Sequence, residues 1–536
     1  MGKTCRAPAA RRAAARTVGG LRNGRAALLG RANLITLVPL ALGLLAGMII
    51  WVATPWGLGI EYDSVFYWSA AENLLGGRGL GRLNGAGQFI PLTQFPPLYP
   101  LFMAAVARVS GFTVVQAARL ISAGLFGFNL ILLWHLVRRL GAGQWAAIGS
   151  ALVWLVAPSI LERHLWAMSE PMYFTWLLCS LNCMSHSVNE SGDRWLVAAA
   201  ATTGLASLTR YAGISLLATG VIAYLLFEAR PFLARARRAA LFAALAGVLP
   251  IAWQVRNLLA IGTPTNRVLL FHPPSLGQLR EAGTTLAAWL PYPRVSAEIR
   301  LGVLVLVGLG ALALLMRLAR RGGEARGSVA WRLASLAGLH GAVYLGFLGV
   351  SLTFFDASTR LRDRILSPLF LVGMLMVVGL LAAHTPREGS GIRIAALASF
   401  ALLVVPYAVA TVGRVQESRD GLGFVGPTWR NSATLAQIRR LDADLRLYSN
   451  EAFPIYFLTG KPASWVPERI DSVKGTERSE YRDELEAMHT RVDAGEAALV
   501  LFYPHSLRPE LPSLDELTAG LEPALVTADG TIYLAR

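Results

Sequence analysis

Through the first four-fifths of the chain, apolar residues come in nearly unbroken runs of about twenty, parted by short polar segments. Wound as a helix rising about 1.5 Å per residue, such a run spans the hydrocarbon core of a bilayer. The pattern predicts spans at 33–53, 116–137, 145–161, 170–187, 194–209, 211–228, 238–257, 299–317, 332–354, 365–383 and 393–412, about eleven. The two stretches in 194–228 are short and almost touch at Arg210, so they also read as one broken or re-entrant pair. A long basic lead and the length of its apolar run mark 33–53 as a retained helix and not a signal peptide.

Past 414 the pattern changes. Strand-like runs at 445–448, 497–503 and 531–534 alternate with helix-like stretches at 451–459, 481–494 and 513–521, which predicts a small α/β domain. The expected division is a basic cytoplasmic tail at 1–32, a transmembrane domain at 33–414 with a first external loop at 56–115, and a soluble domain at 415–536. The fold class is therefore mainly α, a polytopic transmembrane bundle with a C-terminal α/β domain outside the membrane.

Composition agrees with the pattern, since 54% of residues are hydrophobic and 15% charged. The net charge of +17 would suit nucleic acid, but the basic residues cluster between apolar runs, at Arg138-Arg139, 230–238, 317–332 and 387–393. That is how positive charge sets membrane orientation, with these segments inside and the first loop and C-terminal domain outside; no nucleic-acid partner is expected. Cys5 lies in the tail, and Cys179 and Cys183 share a helix face as small apolar residues, with no disulfide framework.

Other charges stand at the outer helix ends: Glu170, Arg210, Arg256 and the run at 355–364 with Arg360 and Arg364. An ionised group near hydrocarbon costs about 2.5–3.5 kcal/mol on insertion scales, so a polar cavity open to the outside is expected there. Residue by residue, bland readings remain: Glu170 as a helix-start carboxylate on the dipole, and each arginine as a snorkelling anchor. Metal-binding, Walker and Rossmann signatures are missing from the sequence.

The most elaborate loop follows the first run. It carries Glu61 and Asp63, an amphipathic segment (Tyr67, Ala70, Ala71, Leu74, Leu75), a Gly-rich turn with Arg78 and Arg82, and Phe95-Pro96-Pro97-Leu98-Tyr99-Pro100. Two prolines break the helix there and start a short interfacial helix over 101–109. A carboxylate here can take a proton from an attacking hydroxyl, and arginines can grip an anionic phosphate with two prongs.

This order, an acidic pair after the first membrane helix, an interfacial helix, G-x-G and then PPLYP, resembles the first external loop of the GT-C superfamily of integral-membrane glycosyltransferases. The match is to the bacterial branch related to protein O-mannosyltransferases and the aminoarabinose transferase of lipid A, and it extends over about 33–412. The resemblance implies a polyprenyl-phosphate sugar donor, an envelope acceptor (glycolipid, cell-envelope glycan or protein hydroxyl) and a place in the bacterial inner membrane. It makes Asp63 the base and Glu61 its companion, and Glu170 a second external acid that orients acceptor or binds a divalent cation, the one cofactor it allows. Arg364, in an R-x-L-x-P entry to a late helix, and Arg360, Arg256 and Arg210 would hold the donor phosphate, with Pro97 and Tyr99 shaping a lipid groove. The rival classes are a transporter or flippase of lipid-linked sugars, which would place charges at the midplane of duplicated halves, and a wall-polymer ligase, which would not require the acidic pair.

Overall fold

The computed structural model describes residues 37–188, 193–265, 269–320, 328–355, 359–384, 390–471, 476–503 and 507–535. The basic tail at 1–32 and its Cys5 lie outside them.

The chain begins with helix α1 (Leu37–Ala53). The first loop forms α2 (Tyr62–Leu75), a hairpin of β1 (Gly81–Leu83) and β2 (Phe89–Pro91), and α3 (Leu98–Ser110). Then come α4 (Val114–Arg139), α5 (Gly143–Val156), α6 (Pro158–Leu165), α7 (Glu170–Ser187), α8 (Arg194–Thr209), α9 (Ile214–Phe227), α10 (Phe232–Ile261), α11 (Leu276–Ala287) and α12 (Ala297–Arg320). The last long helices are α13 (Val329–Phe354), α14 (Asp363–His384) and α15 (Ser390–Ser418).

Over the described residues, each apolar run expected to span is largely helical. Among the described residues five helices, α4, α10, α12, α13 and α14, are long and apolar enough to cross a bilayer by length and composition, and α5 with α6, bent by 52°, makes a sixth if the pair is one span. The bend falls where Pro158 opens α6, as a ring that cannot continue the preceding helix requires. Between α8 and α9 the chain turns at Arg210, whose backbone is extended, and through a single turn of 3-10 helix at 211–213. Gly213 permits that corner: a Cβ there would lie 2.4 Å from the Ser207 nitrogen.

The C-terminal part holds α16 (Pro427–Arg430), α17 (Ala433–Ile438), β3 (Arg446–Ser449), α18 (Ala452–Thr459), β4 (Ala463–Trp465), α19 (Tyr481–Asp493), β5 (Ala497–Phe502), α20 (Leu514–Leu517), β6 (Pro523–Val526) and β7 (Gly530–Tyr533). Its sheet runs β4-β3-β5-β7-β6, with β3 parallel to β4 and β5, and β7 antiparallel to β5 and β6. Strand β5 is buried throughout. Because successive side chains point to opposite faces, Ala497, Leu499 and Leu501 pack with Met488 and Val492 of α19, while Ala498, Val500 and Phe502 pack with Ile438 of α17 and Ile455 of α18. Helices thus cover both faces. The sequence pattern missed β4 and β6, whose three and four residues are too short to show a period.

Three distant segments meet in a small backbone ladder that fixes the start of α2. The Gly59 N–H donates to Leu165 O (2.8 Å) and the Ala167 N–H to Gly59 O (2.9 Å), while the Phe424 N–H donates to Ile60 O (2.8 Å). Residues 59–60 therefore lie between the end of α6 and the segment after α15. Only glycine fits at two positions: a Cβ on Gly59 would lie 2.6 Å from the Trp166 ring, and one on Gly423, whose φ is +58°, 2.1 Å from Ile60 O. The ladder is braced from below, where Glu162 of α6 accepts from Trp166 Nε1 (2.7 Å) and from Arg414 Nη2 of α15 (2.5 Å). Helix α15 runs to Ser418, past the expected boundary at 415, and the chain beyond it returns to the first loop before entering the sheet.

Candidate active site

Glu61 is the N-cap of α2 and Asp63 lies in its first turn, where the helix dipole favours carboxylates. The Glu61 N–H donates to Ser64 Oγ at 3.2 Å, closing that turn. Both side chains reach the guanidinium of Arg364, in the first turn of α14: Nη2 is 2.6 Å from Asp63 Oδ2 and Nη1 3.5 Å from Glu61 Oε1. The third edge of the same guanidinium donates from Nε to Glu170 Oε1 (2.7 Å), at the start of α7. Arg210, at the corner after α8, pairs with that oxygen too and reaches Ser169 Oγ at 3.4 Å. Ser169 in turn bonds the Tyr67 hydroxyl of α2 at 3.2 Å.

Three carboxylates and two guanidiniums from four separate segments thus form one network. Exposure is graded across it: Glu170 is 1% exposed and Arg210 13%, while Asp63 is 27% and Glu61 40% exposed. The floor is sealed and the acidic pair forms the open edge. Among the described residues the second oxygen of Glu170, Oε2, has no hydrogen-bond partner. Burial pushes the Glu61 carboxyl above its ordinary range, opposed by Arg364 and reinforced by its neighbours Asp63 and Glu170.

The other expected phosphate ligands lie elsewhere. Arg256, near the end of α10, donates to Leu92 O (2.6 Å), stacks over Trp253 and bonds Asn257 Oδ1 (3.0 Å). Together with the Tyr211 hydroxyl on Thr93 O (2.9 Å), it staples the first loop just before Phe95. Arg360 lines a separate cavity of about 530 Å³ beside His272, Gln278 and Glu281, which includes none of the networked residues. Pro97 caps α3. Tyr99 does not line an open groove: it is 1% exposed and packs edge-on to Tyr67, with ring centres 5.2 Å apart.

Sequence reasoning passed over Tyr67 and Ser169, which are ordinary residues in an amphipathic segment and a cap position. It also passed over Glu451, the N-cap of α18, whose carboxylate accepts from the Tyr62 hydroxyl at 3.0 Å. Tyr62 lies between Glu61 and Asp63 yet turns the other way, against Phe424, Phe453 and Trp465. Nothing in the sequence links residues 389 positions apart.

Among the described residues no three of His, Cys, Asp and Glu are placed to hold a metal ion. The acids that come nearest, Glu61, Asp63 and Glu170, surround a guanidinium where a cation would sit, so this arrangement does not fit a divalent ion.

Residues 94–253 match the family model described as dolichyl-phosphate-mannose-protein mannosyltransferase. That stretch holds Glu170 and Arg210 but not Asp63 or Arg364. No curated protein matches the chain significantly in sequence. Among solved structures, apo ArnT from Cupriavidus metallidurans superposes with a TM-score of 0.58 at 15% identity, covering 95% of this chain and 98% of that one. The oligosaccharyltransferase AglB from Archaeoglobus fulgidus, in complex with an inhibitory peptide and a dolichol-phosphate, gives 0.51 at 12% identity over 87% of this chain and 69% of its own. The arabinofuranosyltransferase AftD from Mycobacteria gives 0.53 at 17% identity over 94% and 40%. The chain has the GT-C fold, similar to ArnT along nearly its whole length, and is a multi-pass membrane protein.

Proposed function

We propose that this GT-C-fold membrane protein transfers a sugar from a polyprenyl-phosphate-linked donor to an acceptor hydroxyl on the outer face of a bacterial inner membrane. The observation that carries the reading is the meeting of Glu61, Asp63, Glu170, Arg210 and Arg364 in one graded network at the N-terminus of α2. In this reading the Asp63 carboxylate, on the open edge, takes the proton of the acceptor hydroxyl as its oxygen bonds to the sugar's anomeric carbon. The bond from that carbon to the phosphate breaks, and its electron pair leaves with the polyprenyl phosphate. An anionic leaving group needs cations, not a proton, and Arg364 and Arg210 supply two. Glu170, buried beneath them, sets their geometry. The dolichol-phosphate in the AglB complex and the transferase name of AftD support the donor and reaction class. In the same reading residues 415–536 form the extracytoplasmic domain and 33–414 the catalytic membrane domain.

The test is transfer from a labelled polyprenyl-phosphate sugar to crude membrane acceptor by the purified protein and by Asp63→Asn. The variant should bind donor but lose transfer. Undiminished transfer would sink the assignment, and no transfer by the wild type with any such donor would favour a transporter. Orientation has its own test: reporter fusions after Gly85 and Gly283 should read external, and fusions after Arg139 and Arg238 cytoplasmic.

A further inference from the structure

The proposed chemistry leaves the acceptor without a seat, and one feature of the C-terminal sheet is not used by it. Strands β4, β3 and β5 are parallel neighbours, and the connection from β3 to β4 leaves β3 on the opposite side from β5. Helices α18 and α19 accordingly pack on opposite faces. In sheets of this kind the crevice outside the carboxyl ends of the strands, where the chain switches direction, is where ligands bind. Here that edge carries Glu451, two residues past β3, and Trp465, the last residue of β4. It does not face open solvent alone: the Tyr62 hydroxyl of α2 donates to Glu451, and the Tyr62 ring lies 5.9 Å from that of Trp465.

The side chains there have a distinctive chemistry. Tyr62 is 40% exposed and Trp465 half-buried, so aromatic surface remains open next to a carboxylate. The Arg508 guanidinium stacks over the Trp465 ring at 5.1 Å and is itself 45% exposed. Sugars are bound by this combination, because their C–H faces lie on aromatic rings while planar carboxylates and guanidiniums take their hydroxyls in pairs. Trp465 also lines a cavity of about 730 Å³ with Tyr448, Glu468, Arg478 and Arg491. At the near end, Tyr62 adjoins Asp63 in sequence and faces the opposite way.

We propose that the carboxyl edge of β3 and β4, closed by Tyr62, is a saccharide-binding subsite that holds the acceptor glycan beside the first turn of α2. This rests on the transferase reading and narrows it, since the acceptor becomes a glycan and not a protein side chain. The aromatic surface supplies affinity, and Glu451 and Arg508 select the hydroxyl pattern.

The experiment is saturation-transfer NMR on the full-length protein in detergent. The probes are methyl glycosides of mannose, galactose and glucose, with an amidated serine tripeptide beside them. At least one glycoside should receive saturation through its ring protons. Trp465→Ala should weaken its binding about tenfold, of the order carried by one aromatic contact. Trp465→Phe should restore part of it, and Glu451→Gln should alter which glycoside is preferred. Binding of polyprenyl phosphate, followed in the same samples, should be unchanged in all three variants and lost in Arg364→Ala. The subsite is overturned if no glycoside is saturated, if Trp465→Ala leaves the glycoside's affinity unchanged, or if the tripeptide is saturated instead. Failure of wild-type protein to bind polyprenyl phosphate would overturn the donor reading and leave the subsite standing.

Discussion

The first turn of α2 has two sides, built on opposite terms. On one, Glu61 and Asp63 meet Arg364, and every charge has a counter-charge within 3.5 Å. On the other, Tyr62 meets Glu451 among aromatic rings, and that carboxylate accepts a phenol instead of pairing closely with a cation. Adjacent residues of one helix thus enter an ionic site and an apolar one. The contrast matches the two partners of the proposed reaction: an anionic donor needs exchangeable charge, whereas a neutral acceptor needs surface and hydrogen bonds.

The comparison breaks most sharply at Asp63. Asp63→Asn keeps shape and hydrogen bonding but cannot accept a proton, so transfer should fall by about 10²- to 10⁴-fold while donor still binds. Next comes Arg364→Ala, which leaves the buried Glu170 with Arg210 alone. Arg210 still balances Glu170, so only a modest drop in unfolding temperature should accompany loss of polyprenyl phosphate binding. Arg364→Lys should recover only part of both, because one ammonium cannot span three carboxylates. Normal donor binding by the alanine variant would reduce Arg364 to a structural anchor.

A smaller effect is expected at the ladder that supports both sides. Gly423→Ala puts a side chain on left-handed backbone, a strain of about 1–2 kcal/mol, and drives its Cβ against Ile60 O. Transfer should drop with donor affinity nearly unchanged, because the acids shift while Arg364 and Arg210 stay; equal loss of both would show a general unfolding.

The smallest effect sharpens the contrast by pH. Burial raises the Glu451 carboxyl, against the Tyr62 hydrogen bond and the Arg508 charge. A carboxyl raised on folding binds its proton more tightly folded than unfolded. Its contribution is therefore fully present below the ordinary value of 4.5 and is lost as pH rises through the folded value. Glu451→Gln should then unfold at a slightly higher temperature relative to wild type at neutral pH, with the advantage vanishing in acid. An advantage that grew on acidification would reverse the sign and show the carboxylate to be stabilised.

What the sequence made legible follows from the same contrast. Glu170, Arg210 and Arg364 stood out because charges beside apolar runs are costly and need a reason, and Glu61 and Asp63 through their place after the first run in a loop of familiar order. That argument cannot separate a ligand from a staple, so it swept in Arg256, which holds the Leu92 carbonyl, and Arg360, which lines another cavity. Glu451 lies in a segment where charges are ordinary, and only the folded sheet brings it to Tyr62. The long helices were readable from run length, and β5 from its unbroken apolar stretch. The ladder at Gly59 and Gly423 was not, since a glycine required by close approach looks in sequence like any turn residue.

That ladder also orders events in time. Ile60 emerges from the ribosome early, but its partner at Phe424 comes only after the last long helix. Pairings between such distant residues form late, because the long intervening loop must first be closed at an entropic cost. During synthesis the helices can insert one by one while the start of α2 still lacks its strand partner at Phe424. A chain stopped after α15 would be embedded and helical, yet the start of α2 would be held by the α6 side alone. Synthesis of the segment that follows α15 thus doubles as the step that completes the support under the acids.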